Sequence, residues 1–445
     1  MAENRVPYLV DFVEAITRRT WTRGVPASMS RDEVTAQALA RSPLERVTAA
    51  ATALMGRGGD AARIAVAEQA LTAYSELDED GRRTFFALLR DEFGVDDEDV
   101  HRAYEAWSGD PSAVHTAQLV AVVEPRRQEL LRRLNLTPGA TPRLVQMRAD
   151  LLQAQRDDPT LAAVDQDFAH LFASWFNRGF LRMRHIDWST PAATLEKIMG
   201  YETVHPMRDW DDLRRRLEPK DRRLDAFFHP ATGDEPLIFV EIALTRSVPD
   251  SIAEILTAPV PEEPVDADTA VFYSINNTQA GLKGVSFGNF LIKQVVADLA
   301  AELPGLRTFV TLSPAPGFAA WLGASTDPGD AELSARLSAG DWVSDSAAIA
   351  ELRPLVEGAA ARYIVTARDD RGRPVDPTAR FHLGNGASAW RVNWPADLSP
   401  TALRRSHGLM INYHYEPAAI EAQHEAFVRD GTVAHSDRLA DALRR

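Results

Sequence analysis

The sequence predicts an α+β protein, with an all-α region over residues 1–185 and a mixed region of helices and strands over 186–445. Two observations predict it. In the first region apolar residues recur every three or four positions, as in DEVTAQALARSPLERVTAAATALMG and RIAVAEQALTAYSELDEDGRRTFFALLRDEFG. Glycines and prolines punctuate these segments, and strand-like alternation is nearly absent, so seven or eight helices are expected. After RHIDWSTPAATLEKI the pattern changes to short apolar runs rich in β-branched and aromatic residues.

Six such runs are expected to be strands: LIFVEIAL (237–244), interrupted by Glu241, then TAVFYSI (269–275), RTFVTLS (307–313), ARYIVTARD, ASAWRVNW and GLMINYHYE. Between the second and third, NFLIKQVVADLAAEL has the spacing of an amphipathic helix. The stretch PVPEEPVDADT (259–269) reads as an exposed acidic loop.

Composition narrows the function. The 445 residues carry 64 acidic and 49 basic side chains, a net charge of −15, which argues against general nucleic-acid binding. A local basic pocket for a small anion is still compatible with that balance. There is no cysteine, so thiolate catalysis, disulfides and Cys-ligated zinc are excluded. No stretch approaches the ~20 apolar residues of a membrane span. No signal peptide or peroxisomal tail is visible, and a cytoplasmic location is expected.

The stretch GLKGVSFGNFLIKQVV, Gly281 to Val296, fits two chemistries. Its GVSFG matches G-x-S-x-G, which would make Ser286 a hydrolase nucleophile. That elbow needs a strand ending directly at the serine. Here the polar NNTQAGLKGV separates Ser286 from the strand ending near Ile275. The alternative is a phosphate cradle: Gly284 and Gly288 allow close approach, a helix start offers free N–H groups, and Lys283 adds charge. We therefore read Ser286 as a cradle residue.

Longer blocks carry a resemblance to a known family. LEKIMGYETVHPMRDWDDLRRRLEPKDRRLDAFFHP, EPLIFVEIALT, FYSINNTQAGLKGVSFGNFLIKQVV, TLSPAPGF, RFHLGNGASAWRVNWPADLS and GLMINYHY resemble the malonyl-CoA decarboxylases, in order, from about residue 180 to 435. The resemblance implies a helical oligomerisation domain over 1–185 and an acetyltransferase-like (GNAT-like) catalytic domain over 186–445. It implies decarboxylation of malonyl-CoA to acetyl-CoA and CO2, a homo-oligomer with the tetramer the expected state, and no cofactor beyond the coenzyme A of the substrate. It places the catalytic serine at Ser313 and the histidine at His382, the serine as proton acceptor and the histidine as donor. It maps the acyl-CoA loop to Lys283, Gly284, Val285, Ser286, Phe287, Gly288 and Asn289. Many relatives carry glutamate where this chain has Ser286, which puts a catalytic carboxylate there in doubt.

Ser313 and His382 suit the chemistry. Breaking the C–C bond leaves electrons on C2 that the thioester carbonyl takes up as an enolate. The enzyme must supply donors to that oxygen, an orientation for the breaking bond and a proton for C2. The turn Pro314–Gly317 would hold Ser313 at a strand end, and Asn385 and Gly386 would bring backbone N–H groups beside His382. A coenzyme A-dependent acyltransferase on the same fold is the alternative. Other features read as structural: DEDG (78–81) as an interhelix loop, DDLRRRLEPKDRR as a solvated helix face, and Tyr413 and Tyr415 as one strand face lining core or pocket. The remaining histidines show no metal-ligand spacing.

Overall fold

In a computed structural model of the protein, residues 42–56, 59–257, 259, 266–285 and 288–444 are described. The chain divides into two compact units. One holds the residues up to Asn177 together with Pro230–Gly233 and Gln279–Val285; the other holds Arg178–His229, Asp234–Thr278 and Ser286–Arg445.

Eight α-helices make up the first unit among the described residues: α1 (Pro43–Met55), α2 (Asp60–Ser75), α3 (Glu79–Asp91), α4 (Asp97–Gly109), α5 (Ala113–Val123), α6 (Arg126–Leu134), α7 (Ala140–Ala154) and α8 (Ala162–Trp175). Their starts are written locally. Ser42 and Glu45 form a reciprocal capping box ahead of α1, with Pro43 at the first helical position. Asp78, Asp96 and Ser112 cap α3, α4 and α5. DEDG is therefore the start of a helix and not an interhelix loop, because the Asp78 side chain accepts from the Gly81 N–H at 2.8 Å. The core is aliphatic and aromatic: Leu71, Phe86, Leu130, Leu144, Leu151, Phe168 and Phe172 are all but fully buried. Asp167 joins α8 to α6 through a buried ion pair with Arg127 and a 2.5 Å bond from Gln128.

One mixed sheet organises the second unit, as expected for an acetyltransferase-like α+β domain. Its strands are β1 (Arg182–His185), β2 (Arg222–Phe228), β3 (Pro236–Thr245), β4 (Thr269–Asn277), β5 (Thr308–Thr311), β6 (Ser313–Pro314), β7 (Ser388–Asn393) and β8 (Met410–His414). The order is β1-β2-β3-β4-β5-β8-β6, with β7 also on β8. The β4–β5 pair is parallel, whereas β1–β2, β2–β3, β3–β4 and the pairs made by β8 are antiparallel. Leu195, Ile198, Leu213, Leu224, Ala226 and Phe239 pack the helices Ala192–Tyr201 and Trp210–Leu217 onto one face. Among the described residues no helix is long and apolar enough to cross a membrane.

Two further expectations fail. ARYIVTARD is not a strand: the helix Ser346–Ala361 continues as a π-turn over Arg362–Thr366. A short β-branched run cannot be told from a buried helical segment by periodicity, and the alanines before it carry the helix onward. The strands β1 and β2 were not expected. β1 lies in the stretch assigned to helices, and β2 opens with Arg222 and Arg223 inside a charge-dense run.

That run is also less solvated than it reads. Arg216 is buried and donates to Glu241, the break in the apolar run of β3, which is fully buried. A second Arg216 nitrogen donates to the His205 carbonyl oxygen at 3.0 Å. Burial pushes the Glu241 carboxyl up to about 8; nearby Glu202 acts in the same direction and Arg216 against it. From its ordinary value of 4.5 up to about 8, then, the folded protein holds a proton that the unfolded chain has released. The stability this gives is complete at low pH and lost as pH rises through that window. Glu241→Gln, which cannot ionise, is expected to gain on wild type by roughly 1 kcal/mol per pH unit across the window. Urea denaturation at pH 6 and pH 8 checks it; a constant difference between the two proteins would refute the shift.

Candidate active site

Leu312 joins β5 to β6, and Ser313 on β6 pairs with Ile411 of β8. This puts the serine at a strand end, as expected. Past it, the Phe318 N–H bonds to the Ala315 carbonyl at 3.0 Å and closes the turn. His382 comes from the helix Pro377–Gly384, in RFHLGNGA. The structure brings the two together: Ser313 Oγ lies 2.9 Å from His382 Nε2. On the other side of the ring, His382 Nδ1 lies 2.8 Å from the Tyr415 hydroxyl. The imidazole also stacks on Tyr413, centroids 4.6 Å apart and planes 24° apart. Tyr413 and Tyr415 thus share a face, and one of them takes a hydroxyl role.

This chain is dry. Ser313 is 6 % exposed and His382 2 %. Burial lowers the His382 pKa to about 3, so the imidazole is neutral at neutral pH. Burial pushes both tyrosines well above their usual value, which keeps the Tyr415 proton in place. Among the described residues, the Tyr413 hydroxyl and Asn385 Oδ1 are buried without a hydrogen-bond partner. Unpartnered buried polar atoms are rare in folded proteins and gather where a ligand or water completes the bonding.

Neighbouring groups fix this geometry. Asp376 caps the histidine-bearing helix, accepting from the Ala379 N–H at 2.8 Å. It also accepts from the Tyr363 hydroxyl at 2.9 Å; burial pushes its carboxyl up, and the Gly317 N–H is among the groups that act against this. Asp376 therefore ties the turn after Ser313 to the helix of His382. Gly317 is forced, because a Cβ there would overlap the Tyr363 hydroxyl. On β8, Asn412 donates to the Thr311 carbonyl at 2.6 Å and accepts from Arg391 and Asn393 at 2.9 and 2.8 Å. Sequence reasoning missed Asp376, Tyr363 and Asn412. Only Asp376 carried a local signal, Asp followed by Pro at a helix start.

The Asn385 and Gly386 N–H groups are not free to meet a substrate. They bond back to the carbonyls of Phe381, His382 and Leu383 and close the helix, as does Ala387 to His382 at 3.1 Å.

The cradle residues are divided between the two units. Lys283 and Gly284 are exposed and Val285 is buried; all three belong to the first unit, whereas Ser313 and His382 belong to the second. Gly284 has φ +78°, a left-handed conformation suited to glycine. Gly288 and Asn289 start the helix Gly288–Glu302, where a helix start was expected. Ser286 and Phe287 lie outside the described residues. Among the described residues, no three His, Asp or Glu side chains converge as metal ligands.

The sequence profile of the malonyl-CoA decarboxylase C-terminal domain matches residues 179–445, and that of the N-terminal domain matches residues 93–176. The chain belongs to the malonyl-CoA decarboxylase family. Among solved members of the family, malonyl-CoA decarboxylase from Rhodopseudomonas palustris is 49 % identical with a TM-score of 0.85, over 89 % of this chain and 99 % of that one. The Agrobacterium vitis malonyl-CoA decarboxylase is 46 % identical with a TM-score of 0.84, over the same shares. The mitochondrial malonyl-CoA decarboxylase of Rattus norvegicus is 36 % identical over 325 residues, which span 65 % of this chain and 65 % of the rat protein.

Proposed function

We propose that this protein decarboxylates malonyl-CoA to acetyl-CoA and CO2 with Ser313 and His382 as its catalytic pair. The observation that carries the reading is the continuous chain from Ser313 through His382 to Tyr415 in a dry site. The Tyr415 hydroxyl keeps its proton and donates to Nδ1, so the ring proton sits on Nε2 and faces Ser313 Oγ. The serine hydroxyl then points its own proton at the substrate. As the carboxylate leaves, the enolate oxygen is stabilised by that donor at low dielectric, where it is worth far more than in water.

Turnover consumes one proton. Without substrate, burial keeps His382 neutral. A malonyl carboxylate, and then an enolate, beside the ring would favour the imidazolium. His382 takes up a solvent proton in that state and passes one to C2 by way of the serine. The thioester takes up the electrons, so neither metal nor prosthetic group is required.

For the cradle loop, Lys283 and the Gly284 N–H are proposed to meet the pyrophosphate of coenzyme A. The exposed Tyr104, Val114, Val120 and Val123 of α4 and α5 support self-association through the first unit. One preparation tests the reading: protein that scatters light above a monomer's mass, given malonyl-CoA alone, should release CO2 and acetyl-CoA at a rate chelators do not change. A need for an amine acceptor would favour the acyltransferase alternative. Activity lost on chelation and restored by zinc or magnesium would overturn the metal-free reaction.

A further inference from the structure

Arg148, on α7, is 2 % exposed. Its Nε donates to Asp165 Oδ1 at 2.8 Å. Its Nη1 donates to two carbonyl oxygens of the cradle loop, Gly281 at 2.8 Å and Lys283 at 3.0 Å. The same loop lies hard against the helix: a Cβ at Gly281 would overlap the Val145 carbonyl of α7. Gln279–Val285 is thus docked on the first unit, although β4 before it and the helix Gly288–Glu302 after it belong to the second.

The orientation of the loop follows from this. In a trans peptide the C=O and N–H point in opposite directions. Holding the Lys283 carbonyl inward on Arg148 turns the Gly284 N–H outward. Gly284 is exposed and its N–H has no partner among the described residues, and Lys283 is exposed beside it. Gly284 permits the turn because its φ is +78°.

We propose that Arg148 is a positioning residue for acyl-CoA binding: it orients the Lys283–Gly284 peptide so that one N–H and one ammonium face the pyrophosphate together. The proposal rests on the cradle reading above. Arg148 touches no substrate and acts through the loop.

The test compares two substrates, malonyl-CoA and malonyl-N-acetylcysteamine, a short thioester without pyrophosphate. Arg148→Met should raise KM for malonyl-CoA about tenfold, the scale of one or two lost hydrogen bonds. It should leave kcat within about twofold and the kinetics of the short thioester unchanged. Arg148→Lys, which keeps a charge and can reach one carbonyl, should fall between, and keeps the test usable should Arg148→Met fold poorly. Gly281→Ala, which pushes the loop off α7, should share the KM signature. If Lys283→Ala raises KM for malonyl-CoA while the Arg148 variants do not, Arg148 does not position the loop and the cradle stands. If Lys283→Ala is also without effect, the cradle reading fails and takes this proposal with it. An equal loss on both substrates would assign Arg148 to global stability and overturn the proposal.

Discussion

His382→Ala is expected to lower kcat for malonyl-CoA decarboxylation by roughly 10²-fold or more, and Ser313→Ala by a similar factor. The two side chains form one hydrogen-bonded unit at 2.9 Å, so their losses should not add: the double variant is expected to sit close to the worse single one. The two differ in what else they disturb. Ser313→Ala removes one hydroxyl. His382→Ala removes a fully buried ring that stacks on Tyr413 and pairs with Tyr415, so it should also lower Tm through the cavity it leaves. Steady-state kinetics with calorimetry on all three variants is the check. Near-wild-type turnover in either single variant, with the fold intact, would reject the catalytic pair.

Gly386→Ala is expected to destabilise the second unit by about 3 kcal/mol or more, combining a left-handed backbone with a steric overlap. Gly386 has φ +80°, and a Cβ there would overlap the carbonyl of Ile420. Neither group can yield cheaply, since both are backbone. The turn also carries the Ala387 N–H that holds the His382 carbonyl, so kcat should fall along with Tm. Gly284→Ala is the control: φ is +78° but nothing lies within 4 Å of the new Cβ, so only the conformational term, about 1–2 kcal/mol, should appear. Equal Tm values for the two variants would contradict the steric argument.

What the sequence made legible depended on the range of the interaction. β3 and β4 were plain because their β-branched runs are local. The starts of α1, α3 and α5 carry local signals too, in Ser42, Asp78 and Ser112, but reading DEDG as an interhelix loop passed over the one at Asp78. β1 and β2 were hidden because their arginines are neutralised by groups distant in sequence, as Arg223 is by Glu302. At the site, Ser313 and His382 were identified through the resemblance, but their contact spans 69 residues. The Tyr415 hydroxyl on Nδ1 and the Asp376 tie to Tyr363 need the folded sheet to exist. The N–H groups of the Asn385–Gly386 turn looked available because their helix-closing bonds depend on where the helix ends, the least certain part of any sequence reading.

The docking of Gly281 and Lys283 on Arg148 has a consequence for synthesis on the ribosome. α7 leaves the ribosome 133 residues before the first of the carbonyls that its arginine binds. At ordinary elongation speeds the delay is on the order of ten seconds. Throughout that interval Arg148 has Asp165 as a partner but lacks its other two acceptors. The nascent helical segment can assemble its apolar core, yet it carries an unsatisfied guanidinium that must stay hydrated until the later peptide arrives. Folding of the leading unit therefore finishes only after half of the trailing sheet has been made, and a ribosome stalled between the two would leave that face wet and open to chaperones.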